Sequence, residues 1–104
     1  MENLTPQELN SLMKTKAVKL VDVRKDHEVA HGVIEGAMHI PMNQVNGWLS
    51  QQELASPLVF YCHIGVRSGQ AGLLAESLGF TNIYNLVGGV VAWHQAKYLS
   101  LIHI

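Results

Sequence analysis

The stretch YCHIGVRSG, Tyr61 to Gly69, holds the single cysteine of the chain, Cys62. Four residues separate it from Arg67, and Ser68 follows at once. An apolar run, PLVFY, ends at the cysteine, and a run with helical periodicity begins after it. A loop in that position can turn successive backbone N–H groups inward, and such a nest at a helix N-terminus binds anions. The same field favours thiolate over thiol, lowering a cysteine pKa from about 8.5 to ~3.5–7.5. Gly65 lets the loop take dihedrals that other residues resist. Arg67 brings a planar fork of donors suited to an anionic substrate. Cys62 is therefore the candidate catalytic nucleophile, and His63, Ile64, Gly65, Val66, Arg67 and Ser68 form a candidate substrate-binding loop around it. The plainer reading is a buried structural cysteine. The polar, glycine-bearing turn favours the reactive one. Ser68 can donate its hydroxyl to the sulfur, cap the following helix, or do both.

The elements around the loop alternate. LTPQEL starts a helix, with Thr5 as N-cap, Pro6 in the first turn and Glu8 completing a capping box, and it runs to about Lys14. AVKLVDV reads as a buried strand. KDHEVAHG reads as a short helix stopped by Gly32. AMHIP is a short extended piece closed by Pro41. MNQVNGWLSQQEL has weak helical spacing, broken by Gly47. PLVFY is the clearest strand. RSGQAGLLAESLGF is the clearest helix, with Ala71, Leu74, Ala75 and Leu78 on one face and Gly79 as its stop. NIYNL is another strand, and GGVVAWHQAKY a turn and last helix, anchored in the core by Trp93. Strands alternating with helices predict an α/β fold with a mainly parallel sheet covered on both faces, and a site at the carboxyl ends of the strands.

Bulk composition narrows the classes. The 104 residues fit one domain, expected over 1–104 with the tail 97–104 left open, and are 48% hydrophobic and 14% charged. A net charge of −1 gives no basic footprint for nucleic acid. One cysteine cannot make an internal disulfide, the N-terminus does not read as a signal peptide, and no apolar run is long enough for a membrane helix. A soluble cytoplasmic protein is the expectation. His27 and His31 stand at i, i+4, a weak ligand pattern, and no metal is expected. Asp22 and Arg24 close the first buried strand as supporting residues. Asp22 can accept hydrogen bonds from the loop or pair with Arg67, and Arg24 can pair with Glu28.

LVDVR (Leu20–Arg24), GVIEGAMHIP (Gly32–Pro41), VFYCHIGVRS (Val59–Ser68) and AGLLAESLGFTNIYNLVGGVVAW (Ala71–Trp93), in this order, resemble a single-domain rhodanese, from Leu4 to about Gln95. The resemblance implies a three-layer fold with a five-stranded core sheet flanked by helices. It implies that Cys62 takes a sulfane sulfur from a small donor such as thiosulfate or a persulfide. The sulfur would pass to a thiol or cyanide, or to a sulfur-relay protein, with no cofactor. Val33 and Glu35 stand where many members have His and Pro, and His63 where many have Arg, which bears on substrate preference. Dual-specificity phosphatases on a related fold look like Cys, five residues, Arg. The shorter gap here gives a smaller bowl, better suited to sulfur than to phosphate. A phosphatase or arsenate reductase, and a non-catalytic binding or sulfur-carrier module, are the alternatives.

Overall fold

The computed structural model describes residues 1–96 and the backbone of 101–102. Leu58–Tyr61 (β5) is buried at all four positions and sits mid-sheet. It pairs in parallel with Lys19–Asp22 (β2) on one side and Ile83–Leu86 (β6) on the other. Glu2–Leu4 (β1) adds to β6 and Met38–His39 (β4) to β2, giving a five-stranded sheet ordered β1-β6-β5-β2-β4 with every pairing parallel. Strands bonded in parallel need crossovers, and these are the helices. Pro6–Thr15 is α1, Asp26–Val29 α2, Met42–Leu49 α3, Val66–Ser77 α4 and Gly89–Gln95 α5.

The side chains of β5 and the residue after it alternate between the two faces, as the strand period requires. Leu58, Phe60 and Cys62 pack with Val45 and Leu49 of α3 and Ala71 and Ala75 of α4. Val59 and Tyr61 pack with Leu9 of α1 and Val90 and Trp93 of α5. This is the expected three-layer α/β arrangement, and Trp93 anchors the last helix as expected. Each fully buried aliphatic or aromatic side chain contributes about 1.5–3 kcal/mol of transfer free energy.

The capping box of α1 forms as expected: Glu8 N–H donates to Thr5 Oγ1 at 3.2 Å, and Thr5 N–H to Glu8 Oε1 at 3.0 Å. Other expectations need correction. β1 was not foreseen, because two of its three residues are exposed and only Leu4 is buried. α3 continues through Gly47, where the cost of a mid-helix glycine, about 1 kcal/mol, is offset by burial of Val45 and Leu49. α2 ends at Val29, so His31 lies beyond it and the two histidines do not share a helix. On α4 the buried face is Ser68, Ala71, Gly72 and Ala75, while Leu78 is exposed at the helix end. Val33–Ile34 (β3) pairs antiparallel with Leu101–Ile102 (β7), so the tail joins a separate two-stranded ribbon at those two residues. The rest of the tail, 97–100 and 103–104, lies outside the described residues.

Candidate active site

Cys62 follows β5 directly and is 1% exposed. Its Sγ accepts the N–H of Gly65 at 3.1 Å and that of Ser68 at 3.5 Å. Gly65 is the N-cap of α4, at φ +104°, and has no side chain with which to satisfy the first N–H groups. The sulfur does this instead, accepting donors that every helix N-terminus leaves open. Burial, the largest single influence, pushes the thiol up. Ser68 Oγ and the N–H groups of Ser68, Gly65 and Arg67 push it down, and together they prevail, so Cys62 ionises below the ordinary value.

Ser68 is the third residue of α4 and does not cap it; its Oγ lies 3.3 Å from Sγ, and either atom can be the donor. It also donates to Asn85 Oδ1 at 2.6 Å. Asn85 Nδ2 faces two acceptors, Asn3 Oδ1 at 3.3 Å and Gly65 O at 3.4 Å, which fixes which way the amide points. A hydroxyl has one proton. In the thiol state Cys62 therefore donates to Ser68, which donates to Asn85. In the thiolate state the hydroxyl must turn from Asn85 to sulfur. The Ser68 hydroxyl lowers the thiol pKa only by releasing Asn85, whereas its N–H acts without that exchange.

The loop is held from beneath by α5. Val90 N–H donates to Cys62 O at 2.9 Å and Val91 N–H to His63 O at 3.2 Å. Gly88 caps α5 and Gly89 begins it, at φ +58°. A Cβ on Gly89 would fall well inside contact distance of both loop carbonyls, with His63 C at 2.6 Å. Only glycine lets the two backbones approach this closely.

Arg67 turns its guanidinium to Glu28. Its Nη1 and Nη2 donate to Glu28 Oε1 and Oε2 at 2.6 and 2.8 Å. This guanidinium holds the Glu28 carboxyl down at about 2. Asp22 and Arg24 pair with each other instead of with the loop or Glu28. Arg24 Nη2 reaches Asp22 Oδ2 at 2.7 Å and Gly32 O at 2.7 Å, and both groups are buried. Strand parity is the reason. Asp22 is in register with Tyr61, so it shares the Tyr61 face, and Cys62, one residue on, turns to the other face. The Arg24 guanidinium lies 5.8 Å from the Tyr61 ring centroid, and Tyr61 Oη accepts the Ile34 N–H at 3.0 Å. Burial and the Asp22 carboxylate push the Tyr61 phenol up. This cluster braces the strand ends and the Gly32 turn. His63, Ile64 and Val66 are exposed around the mouth.

Asn85, Gly89 and Glu28 in its pairing with Arg67 were missing from the sequence reading. An asparagine inside the strand NIYNL was the available signal for the first, and the GG doublet for the second. Among the described residues no three or more His, Cys, Asp or Glu gather closely enough to hold a metal ion, and no helix is long and apolar enough to cross a membrane.

The chain is 30% identical to a thiosulfate sulfurtransferase of Shewanella oneidensis, over 92% of this chain and 95% of that one. It is 35% identical to a human thiosulfate:glutathione sulfurtransferase, over 86% and 90%. It superposes on a rhodanese-like domain protein of Staphylococcus aureus with a TM-score of 0.87 at 31% identity, covering 100% and 99% of the two chains. Residues 5–96 match the Rhodanese-like domain, and the chain belongs to that family.

Proposed function

We propose that the protein is a sulfurtransferase that carries a sulfane sulfur on Cys62. The observation that carries this reading is the position of Sγ, which accepts N–H groups at the mouth of α4 while Ser68 Oγ stands 3.3 Å away. Donors that stabilise a thiolate also stabilise the outer, anionic sulfur of a persulfide. The bowl can therefore serve the resting and loaded forms. In the loading step with thiosulfate, the Cys62 thiolate attacks the outer sulfur. The new bond joins Sγ to that sulfur, the bond to the sulfonate sulfur breaks, and sulfite leaves with its electron pair. The backbone donors of Gly65, Arg67 and Ser68 face the charge that moves. Arg67, paired with Glu28, and the exposed His63 flank the mouth of the loop. Asp22 and Arg24 act through the backbone as positioning residues. Small sulfur donors, and a thiol or cyanide as acceptor, are the partners of this reading, which the activities that the Shewanella and human relatives are named for support.

The test is direct. Protein treated with thiosulfate or a glutathione persulfide should gain the mass of one sulfur in intact-mass measurement, and Cys62→Ser should gain none. Wild-type protein that gains no sulfur from either donor would refute the proposal.

A further inference from the structure

Asn85 is a buried amide that the chemistry proposed above leaves unused. Register places it. Asn85 of β6 pairs with Phe60 of β5, so it shares the face of Phe60 and Cys62. Its amide holds the loop at two points: Oδ1 accepts the Ser68 hydroxyl at 2.6 Å, and Nδ2 donates to Gly65 O at 3.4 Å. A backbone carbonyl can only accept, so the second contact settles that oxygen, not nitrogen, faces Ser68. The Ser68–Asn85 bond is short for a hydroxyl, whereas Sγ stands 3.3 Å from the same Oγ. Cys62, Ser68 and Asn85 are all buried, which leaves little room for water to replace a lost partner.

One proton thus faces two acceptors. A thiolate is an anion and the stronger of the two, so the hydroxyl turns to it and Asn85 Oδ1 loses its donor. A thiol can itself donate to Ser68 Oγ, and the hydroxyl stays on Asn85. A persulfide carries its charge on the outer sulfur, and Sγ becomes a neutral divalent sulfur, a weak acceptor like a thioether. The hydroxyl then returns to Asn85. Leaving a buried acceptor unmet costs free energy, so Asn85 opposes each turn of the proton toward sulfur. Among the described residues, Sγ and Asn85 are the partners of Ser68 Oγ. The charged and titratable groups near Cys62 stand outside this exchange. Arg67 is paired with Glu28, His63 is exposed, and Asp22 and Arg24 pair on the Tyr61 face. From α3 and the body of α4 the apolar Val45, Leu49, Ala71 and Ala75 pack on the Cys62 face.

We infer that Asn85 is a positioning residue for the nucleophile: it competes with Sγ for the single Ser68 proton, and so favours the two states in which Sγ is uncharged, the thiol and the persulfide, over the free thiolate. The inference rests on the sulfurtransferase reading above. In discharge to cyanide, the cyanide carbon attacks the outer sulfur of the persulfide. The bond from that sulfur to Sγ breaks, its electron pair stays on Sγ, and thiocyanate leaves. Ser68 turns to the new thiolate in this step, against the pull of Asn85. The amide thereby helps to keep the sulfur loaded until an acceptor removes it.

Asn85→Leu removes both polar atoms at similar size, and Asn85→Val is a second variant suited to a strand. Melting curves verify that the variant used is folded. In a pH–rate profile the midpoint of Cys62 alkylation should fall by about 0.5–1 unit. Mere loosening of the loop would move it upward, because fewer N–H groups would meet the thiolate. In a Ser68→Ala background the same substitution should leave the midpoint where Ser68→Ala alone puts it, since no hydroxyl remains to be released. Loading is then compared by intact mass, at a pH above both midpoints and a fixed ratio of thiosulfate to sulfite. The loaded-to-free ratio at equilibrium should be about two- to tenfold below wild type. A midpoint that rises or stays put, a fall that persists without the Ser68 hydroxyl, or an unchanged loaded-to-free ratio would overturn the inference. The alkylation profiles need no sulfur donor, so they judge the competition for the proton by themselves. Failure of wild-type protein to load would count against the sulfurtransferase reading alone.

Discussion

Gly89→Ala offers the sharpest test of how the nucleophile is positioned. At φ +58° any L side chain costs roughly 1–2 kcal/mol. The new methyl would also overlap the loop backbone, with His63 C at 2.6 Å, and backbone cannot swing aside as a flexible side chain can. Either α5 or the loop must move. The bonds at risk are Val90 N–H to Cys62 O and Val91 N–H to His63 O, at 2.9 and 3.2 Å, each worth about 0.5–1.5 kcal/mol net. The sum is about 2–5 kcal/mol, which for a domain of this size lowers the melting midpoint by ~8 °C or more. Loop displacement should also slow Cys62 alkylation at neutral pH, because the nest loses its shape. Melting curves and iodoacetamide kinetics read the two effects separately. Gly89→Asn separates the causes: asparagine tolerates the left-handed region but still carries a Cβ, so it should do little better than alanine. A Gly89→Ala protein that melts within about 3 °C of wild type and alkylates at the same rate would refute the close-approach argument. An asparagine variant that restores both would show that dihedral strain alone was at stake.

Ser68→Ala should move the midpoint of Cys62 alkylation upward in a pH–rate profile, since a group that lowers the thiol pKa is lost. It also strands Asn85 Oδ1, a destabilisation of about 1–3 kcal/mol in urea unfolding. Glu28 has a folded pKa of about 2, below its unfolded value, so its pairing with Arg67 stabilises the protein fully above about pH 4.5 and is lost as pH falls toward 2. Glu28→Gln should thus cost about 1–2 kcal/mol near neutrality, after allowance for solvent screening of a part-exposed pair. Its deficit relative to wild type should shrink on acidification through that window, and a constant deficit in urea unfolding across it would contradict the assignment.

The elements legible in the sequence were those with a strong local signal. The buried run of β5, the capping box at Thr5 and the Cys62 loop each show in residue type and order. What escaped depended on neighbours distant in the chain. β1 has one buried residue of three and exists because β6 offers it an edge. Asn85 reads as an ordinary strand residue until β6 is placed beside β5 and its amide meets Ser68 and Gly65. The ion pairs were misassigned for the same reason. Arg24 and Glu28 sit at helical spacing, but Arg24 is on the Tyr61 side of the sheet, and the partner of Glu28 comes from residue 67. Strand parity decides this, and parity is settled only when the register is known.

The direction of Arg67 also bears on the choice between sulfur and phosphorus chemistry. A loop that binds a tetrahedral phosphate needs its guanidinium over the bowl to share the equatorial oxygens. Here Nη1 and Nη2 each donate to Glu28, at 2.6 and 2.8 Å, in a pair whose carboxylate stays ionised down to about pH 2. Turning Arg67 inward would strand that carboxylate. The charge work over Cys62 falls instead to the N–H groups of α4 and to Ser68, which reach a sulfur only a few ångströms away. Four intervening residues keep the bowl that small. One sulfur atom added to Sγ is an anion those donors can meet without Arg67. The short gap and the pairing of Arg67 with Glu28 both bear on the proposed sulfur chemistry, because the N–H donors that reach Sγ are those of Gly65 and Ser68.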